Sequence, residues 1–188
     1  MKHPLSGQAV IAGVGHTAFG KLAGRDTVSL NVEAIRNALG DAGIVKDEVD
    51  GLYVKAPTSR FEMMYAQKLA EALGLQPRIG GVWDHGGASN ISMISMAAMA
   101  INAGQCEVAI VALADNPATG TRQAYEKAWG DDAVFGWFGT PAGYAMVAQR
   151  HMQQWGTTSD QLGAVAMACR RHGASAGRQR RRRRQRRR

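Results

Sequence analysis

The sequence predicts an α/β protein with a mostly parallel sheet. Short apolar runs bounded by glycine alternate with longer segments of helical period, and one segment, Gly86–Gly104, opens on paired glycines and then runs apolar on every side. A helix without a charged face has to be covered by other layers. Its N-terminus then points into the protein, where unpaired N–H groups and a partial positive charge suit an activated nucleophile or a bound anion. The mouth offers Gly86, Gly87, Ala88 and Ser89, without a cysteine.

The elements follow in order. Residues 8–14, QAVIAGV, read as a first strand covered on both faces. From Thr27 to Ala42 the positions Val28, Val32, Ile35, Leu39 and Ala42 recur at helical spacing, with Asp26 as cap and Gly43 as stop. Gly51–Val54 is a second strand, Phe61–Leu73 a helix ended by Gly74, and Ile79–Trp83 a third strand before the apolar helix. Val108–Leu113 is a fourth, and the strand, helix, strand rhythm implies parallel pairing through crossovers. Residues 1–115 thus form the core. Residues 116–141 break the rhythm with glycines, prolines and the aromatics Tyr125, Trp129, Phe135, Trp137 and Phe138, a loop long enough to be functional. Residues 142–172 return to helix, first to Trp155 with Gly156 as stop, then from Thr158 or Ser159 towards Arg171, where Thr158 and Gln161 form a capping box.

Residues 173–188 carry most of the charge. The chain is +8, yet Arg178, Arg180, Arg181, Arg182, Arg183, Arg184, Arg186, Arg187 and Arg188 supply nine of its 23 basic residues, leaving fourteen against fifteen acids in residues 1–177. The body is essentially neutral. A tail without apolar residues self-repels and is expected to be disordered, and it would bind polyanions with steep salt dependence. Its abrupt onset is also what a GC-rich gene read out of frame, or an added cationic tag, looks like. Two distant cysteines, Cys106 and Cys169, exclude a disulfide framework and a multi-cysteine metal site, and point to a reducing compartment. No apolar run is long enough to span a bilayer, so the expected location is cytoplasmic.

Single-residue motifs carry little chemistry. Gly13-Val14-Gly15 follows a strand like the start of a dinucleotide fingerprint, but the helix opens only near Thr27, which favours a plain glycine turn. His85 beside Asp84 is a candidate base or a structural imidazole. Ser89 is a candidate weak nucleophile or a cap. Asp131 and Asp132 are adjacent in the loop, which is not the geometry of a working carboxylate pair. No metal-ligand spacing is visible.

Three stretches together carry a resemblance. AVIAGVGHTAFGKLAGRDTVSLNVEAIRNALGDAGI with VDGLYV, then GGASNISMISMAAMAINAGQCEVAIVALAD, then GYAMVAQRHMQQWGTTSDQLGAVAMACRRH resemble the lipid-transfer branch of thiolase-like proteins, related to sterol-carrier-protein thiolases and acetyl-CoA acetyltransferases, over residues 8–172. The resemblance implies the N-terminal half of a layered thiolase-like fold handling acyl-CoA thioesters, with no bound cofactor and a homodimer or a small acyl-CoA-binding protein as partner. It places the nucleophilic cysteine of Claisen-type thiolases at Gly87, which cannot be acylated; Cys106 lies at the helix's far end. Little thiolase activity is therefore expected. Some glycine-bearing members, joined to a small acyl-CoA-binding partner, cleave carbon–carbon bonds by retro-aldol chemistry, with acid and base groups from the second half of the fold. A non-catalytic binding module, or a polyanion binder driven by the arginine tail, is also compatible with these residues. The family pattern continues for about as many residues again, so a truncated or frame-shifted chain is expected, with apolar helix surface left open to aggregation or dimerisation.

Overall fold

A computed structural model describes residues 5–60, 62–119, 131–136 and 139–185, with side chains for these except 132, 133 and 176–185. The chain divides into two units, Met1–Tyr125 and Glu126–Arg188.

In the first unit, α1 spans Thr27–Ala42 with both sequence-read ends in place. Asp26 Oδ1 accepts the Ser29 N–H at 2.6 Å, and Gly43 leaves the helix at φ 70°. That Ser29 N–H is the main reason the Asp26 carboxyl sits below its ordinary value, against a smaller rise from burial. β1 (Gly51–Val54), α2 (Tyr65–Leu73), β2 (Ile79–Val82), α3 (Ser89–Asn102) and β3 (Ala109–Ala112) follow. The strands pair in parallel in the order β2-β1-β3, with Gly51 opposite both Ile79 and Ala109.

The strand period of two sorts the core into two layers. Leu52, Val54, Ile110 and Ala112 face α1 and α2, packing with Ile35, Tyr65 and Leu69. Tyr53 faces the other way, towards Met93, Ala97, Ala100 and Cys106 around α3. β1 is buried along its whole length, as a central strand covered on both faces must be. Burial pushes the Cys106 thiol up, with a further push from Asp50, which suits a packing group and not a nucleophile.

Three expectations change. Residues 8–14 belong to no strand, and Val10 and Ile11 are 86% and 71% exposed. The segment lies along α1: the Val14 N–H donates to Asp41 Oδ2 at 3.0 Å and Asn37 Nδ2 donates to the His16 carbonyl at 3.0 Å. A Cβ on Gly13 would stand 2.5 Å from the Ala38 carbonyl oxygen, and one on Gly15 would run into that of Ala34. These glycines therefore serve close approach to a helix, neither a turn nor a phosphate cradle. Secondly, α3 is not covered all round. It buries the stripe Ser89, Met93, Ala97 and Ala100, while Ile91, Ile94 and Met99 are exposed, because the sheet covers one face and no described residue of the first unit layers the other. Thirdly, α2 starts at Tyr65, after Met64 takes a left-handed turn (φ 55°); Glu62 to Met64 are not helical, and Phe61, the expected start, lies outside the described residues.

The second unit holds a short 3-10 turn at Asp131–Phe135, then α4 (Thr140–Trp155) and α5 (Ser159–Gln185). Tyr125, Trp129, Trp137 and Phe138 of the aromatic loop lie outside the described residues, and Phe135 is exposed. The capping box is made: Thr158 N–H donates to Gln161 Oε1 at 2.9 Å and Gln161 N–H to Thr158 Oγ1 at 3.4 Å. α5 runs past Arg171, where the sequence ends it, and the basic tail shares its backbone as far as Gln185. Its side chains from Ser159 to Ser175 are all exposed, so local propensity and not packing holds this helix.

Candidate functional site

Parallel strands send their C-terminal ends to one edge of the sheet, and in open α/β folds that edge is where ligands bind. Here it gathers Lys55 after β1, Trp83-Asp84-His85 after β2, Asp115 after β3, and the start of α3.

Lys55 is held by the sheet itself. Its N–H donates to the Ala112 carbonyl at 3.1 Å, and its ammonium, on a residue only 7% exposed, donates to Asp84 Oδ2 at 2.9 Å. Asp84 is half-open to solvent, and its other oxygen accepts the Gly86 N–H at 2.8 Å. The Lys55 hydrogen bond is the largest cause holding the Asp84 carboxyl below its ordinary value, against burial. One carboxylate thus neutralises the buried cation and occupies the first N–H of the turn that leads into α3. A Lys55→Met chain should let Asp84 titrate upward towards the ordinary 3.8, followed by the side-chain carboxyl shift in an NMR titration. Because the folded value is depressed, the stability Asp84 contributes is present above the ordinary value and lost as pH falls through the folded one; the substitution should flatten that slope.

The turn Gly86–Ala88 opens α3. Gly86 needs its glycine, since φ is 56°. Gly87 does not: its backbone is ordinary and a Cβ built on it would meet nothing within 4 Å. Ser89, 1% exposed, accepts the His85 N–H at 2.9 Å and donates to the Gly86 carbonyl at 2.7 Å. Its hydroxyl is thereby committed to shaping the turn. The His85 ring is exposed and lies 5.8 Å from that of Trp83.

Asp115 closes the far side. Its oxygens accept the Thr58 N–H and hydroxyl, both at 2.7 Å, the Ser59 N–H at 3.2 Å, the Ser59 hydroxyl, and the Asn116 N–H at 2.8 Å. Burial pushes this carboxyl up, but those donors more than offset it and leave it below its ordinary value. Beneath it, Asn31 Nδ2 donates to the Thr27 carbonyl, the Tyr65 hydroxyl and the Ala114 carbonyl, joining α1, α2 and the end of β3. Among described residues, buried Asn31 Oδ1 and Trp83 Nε1 have no hydrogen-bond partner.

Of the sequence-read candidates, the structure brings Gly87, His85 and Ser89 together at the mouth of α3. Asp131 stands in the 3-10 turn of the second unit, as does the backbone of Asp132. Lys55, Asp115, Asn31 and Tyr65 were not singled out by the sequence. The one available signal was a lysine directly after the strand GLYV, where solvent-facing and buried lysines look alike. No group of three or more His, Cys, Asp or Glu gathers among the described residues, and no described helix is long and apolar enough to cross a membrane.

No family model matches the chain. It is similar to a steroid side-chain-cleaving aldolase of Thermomonospora curvata, 35% identical over 184 residues, covering 91% of this chain and 46% of that protein. It is likewise 35% identical over 183 residues to the 17-hydroxy-3-oxo-4-pregnene-20-carboxyl-CoA lyase of Mycobacterium tuberculosis, covering 91% and 47%. An acetyl-CoA acetyltransferase of Methanocaldococcus jannaschii matches at 30% identity over 81% of this chain and 40% of its own. Among solved structures, an Ltp2-ChsH2(DUF35) aldolase superimposes with a TM-score of 0.73 at 32% identity, over 87% of this chain and 43% of that one. The chain spans less than half the length of these proteins.

The superposition carries the α/β fold with its parallel sheet. The higher identities fall on proteins named as an aldolase and a lyase, and the acetyltransferase likeness stands at lower identity.

Proposed function

We propose that this chain supplies the α3-bearing part of an acyl-CoA retro-aldol lyase. The observation that carries the reading is Gly87. It stands at the place the resemblance assigns to the acyl-accepting cysteine, it has no side chain to acylate, and nothing in the backbone or packing requires a glycine there. The two 35% identical relatives, named as an aldolase and a lyase, support it over acyl transfer. The aldolase that superimposes is named as a pair, which supports a small acyl-CoA-binding protein as partner over a homodimer.

The chemistry asks little of a nucleophile. A base takes the proton of the β-hydroxyl, the Cα–Cβ bond breaks as a ketone forms, its electrons pass to the thioester as an enolate, and a proton returns to the α-carbon. What the protein has to supply is room for a substituted carbon and stabilisation of the enolate oxygen. The start of α3 offers the positive end of the helix, and Gly87 offers the room. His85 at the mouth is an imidazole able to move a proton; the resemblance places the principal acid and base groups in the second half of the fold.

Gly87→Ala separates structure from function. Replacing a glycine of ordinary backbone angles in open space should raise stability by about 0.4–1 kcal/mol in urea unfolding. The same substitution should weaken binding of a 3-hydroxyacyl-CoA, read by calorimetry. If the chain instead releases acetyl-CoA from acetoacetyl-CoA and free CoA, the lyase reading fails.

A further inference from the structure

We propose that the buried Lys55 is a positioning residue which, acting through Asp84, lets the mouth of α3 accept a developing negative charge. The inference rests on the lyase reading, which forms an enolate oxygen beside Gly87. It adds to that reading the group that keeps a neighbouring carboxylate from opposing the enolate.

The conflict lies in the geometry. Asp84 Oδ1 accepts the Gly86 N–H at 2.8 Å, and the backbone from that nitrogen to the Gly87 Cα spans at most about 5 Å, so the carboxylate stands within about 8 Å of that carbon. This is about one Debye length at physiological ionic strength, close enough for the charge to be felt. A carboxylate suits the turn, because it holds an N–H more strongly than a neutral acceptor does. Alone, it would also offset the positive end of α3 and repel an enolate. Lys55 resolves the conflict. Its ammonium donates to Asp84 Oδ2 at 2.9 Å, the oxygen that does not hold Gly86, so the charge is cancelled while the turn keeps its acceptor. Among the described residues, Asp84 is the ion-pair partner of Lys55. β1 fixes where the ammonium can go, since the Lys55 N–H is tied to the Ala112 carbonyl at 3.1 Å. Stability does not account for a lysine here, because withdrawing an ammonium from water is expensive and apolar replacement of a buried ion pair is often neutral or stabilising.

The test compares two CoA thioethers that differ only at the reacting end: S-carboxymethyl-CoA, whose carboxylate stands in for the enolate, and S-acetonyl-CoA, a neutral ketone. Calorimetry on the whole chain reads the ratio of their affinities, in which the shared CoA phosphates largely cancel. Lys55→Met should lower the preference for the carboxylate ligand about tenfold; a unit charge about 8 Å away is worth roughly thirtyfold at an effective dielectric constant of about 20, and the solvent exposure of Asp84 reduces this. Lys55→Met combined with Asp84→Asn should restore the native ratio. Asp84→Asn alone, which leaves the ammonium unopposed, should raise it. A Lys55→Met chain that loses affinity for both ligands alike, or a double variant whose ratio stays low, would overturn the proposal and leave the lyase reading in place. A native chain that binds neither ligand would overturn both.

Discussion

Asp115→Ala should be among the most damaging single substitutions, lowering stability by about 3 kcal/mol or more in a urea titration. The Asp115 carboxylate collects five donors, from Thr58, Ser59 and Asn116. Removing it strands three backbone N–H groups in a partly buried place, and each unsatisfied buried donor costs about 1–3 kcal/mol. Against a total stability of roughly 5–15 kcal/mol this is a large share. Asp115→Asn tests the charge alone. The native carboxyl is depressed, so its contribution is present above the ordinary aspartate value and lost as pH falls through the folded one. Native protein should therefore weaken steeply in that acid range, and the asparagine chain should weaken less.

Gly80→Ala should cost about 3 kcal/mol and detach β2 from the sheet. Gly80 stands opposite Leu52 in the register, and a Cβ there would run into the Leu52 carbonyl oxygen. Its φ of 137° adds backbone strain for any L side chain. Neither fault relaxes cheaply, because the obstruction is backbone and not the end of a flexible side chain. Gly81→Ala is the control: its φ is also positive, at 155°, but a Cβ would meet nothing, so it should cost only the strain. Loss of slow-exchanging amides on β1 facing β2, with those facing β3 kept, would distinguish local detachment from global unfolding.

Much of the first unit was legible because its signals are local. Asp26 and Gly43 mark the ends of α1 by chemistry that acts within one turn, and the runs at 51–54, 79–82 and 109–112 are strands by composition. Residues 8–14 have the same composition without being a strand, since pairing depends on a neighbour that composition does not reveal. Glycines 13 and 15 read from the sequence as a turn, but they let the segment lie on α1 and spare it a place in the sheet. α3 was read correctly as apolar, but whether a layer covers Ile91, Ile94 and Met99 is a property of what packs there. Lys55, Asp84 and Asp115 form a site only because three strand ends far apart in sequence share one edge.

The placement of β1 has a consequence for how the protein comes into being. The central strand is made before both of its partners, which lie 28 and 58 residues further on, from Gly51 to Ile79 and to Ala109. During synthesis at about 5–20 residues per second, Gly51–Val54 waits with one hydrogen-bonding edge open until Val82 has followed it and the other until Ala112 has. Such distant pairings close slowly, since chain entropy is lost before any contact repays it. α1, complete with its own cap and stop, is already available to cover one side of that strand while it waits. The nascent chain is thus most exposed to wrong pairing in the interval between β1 and β3.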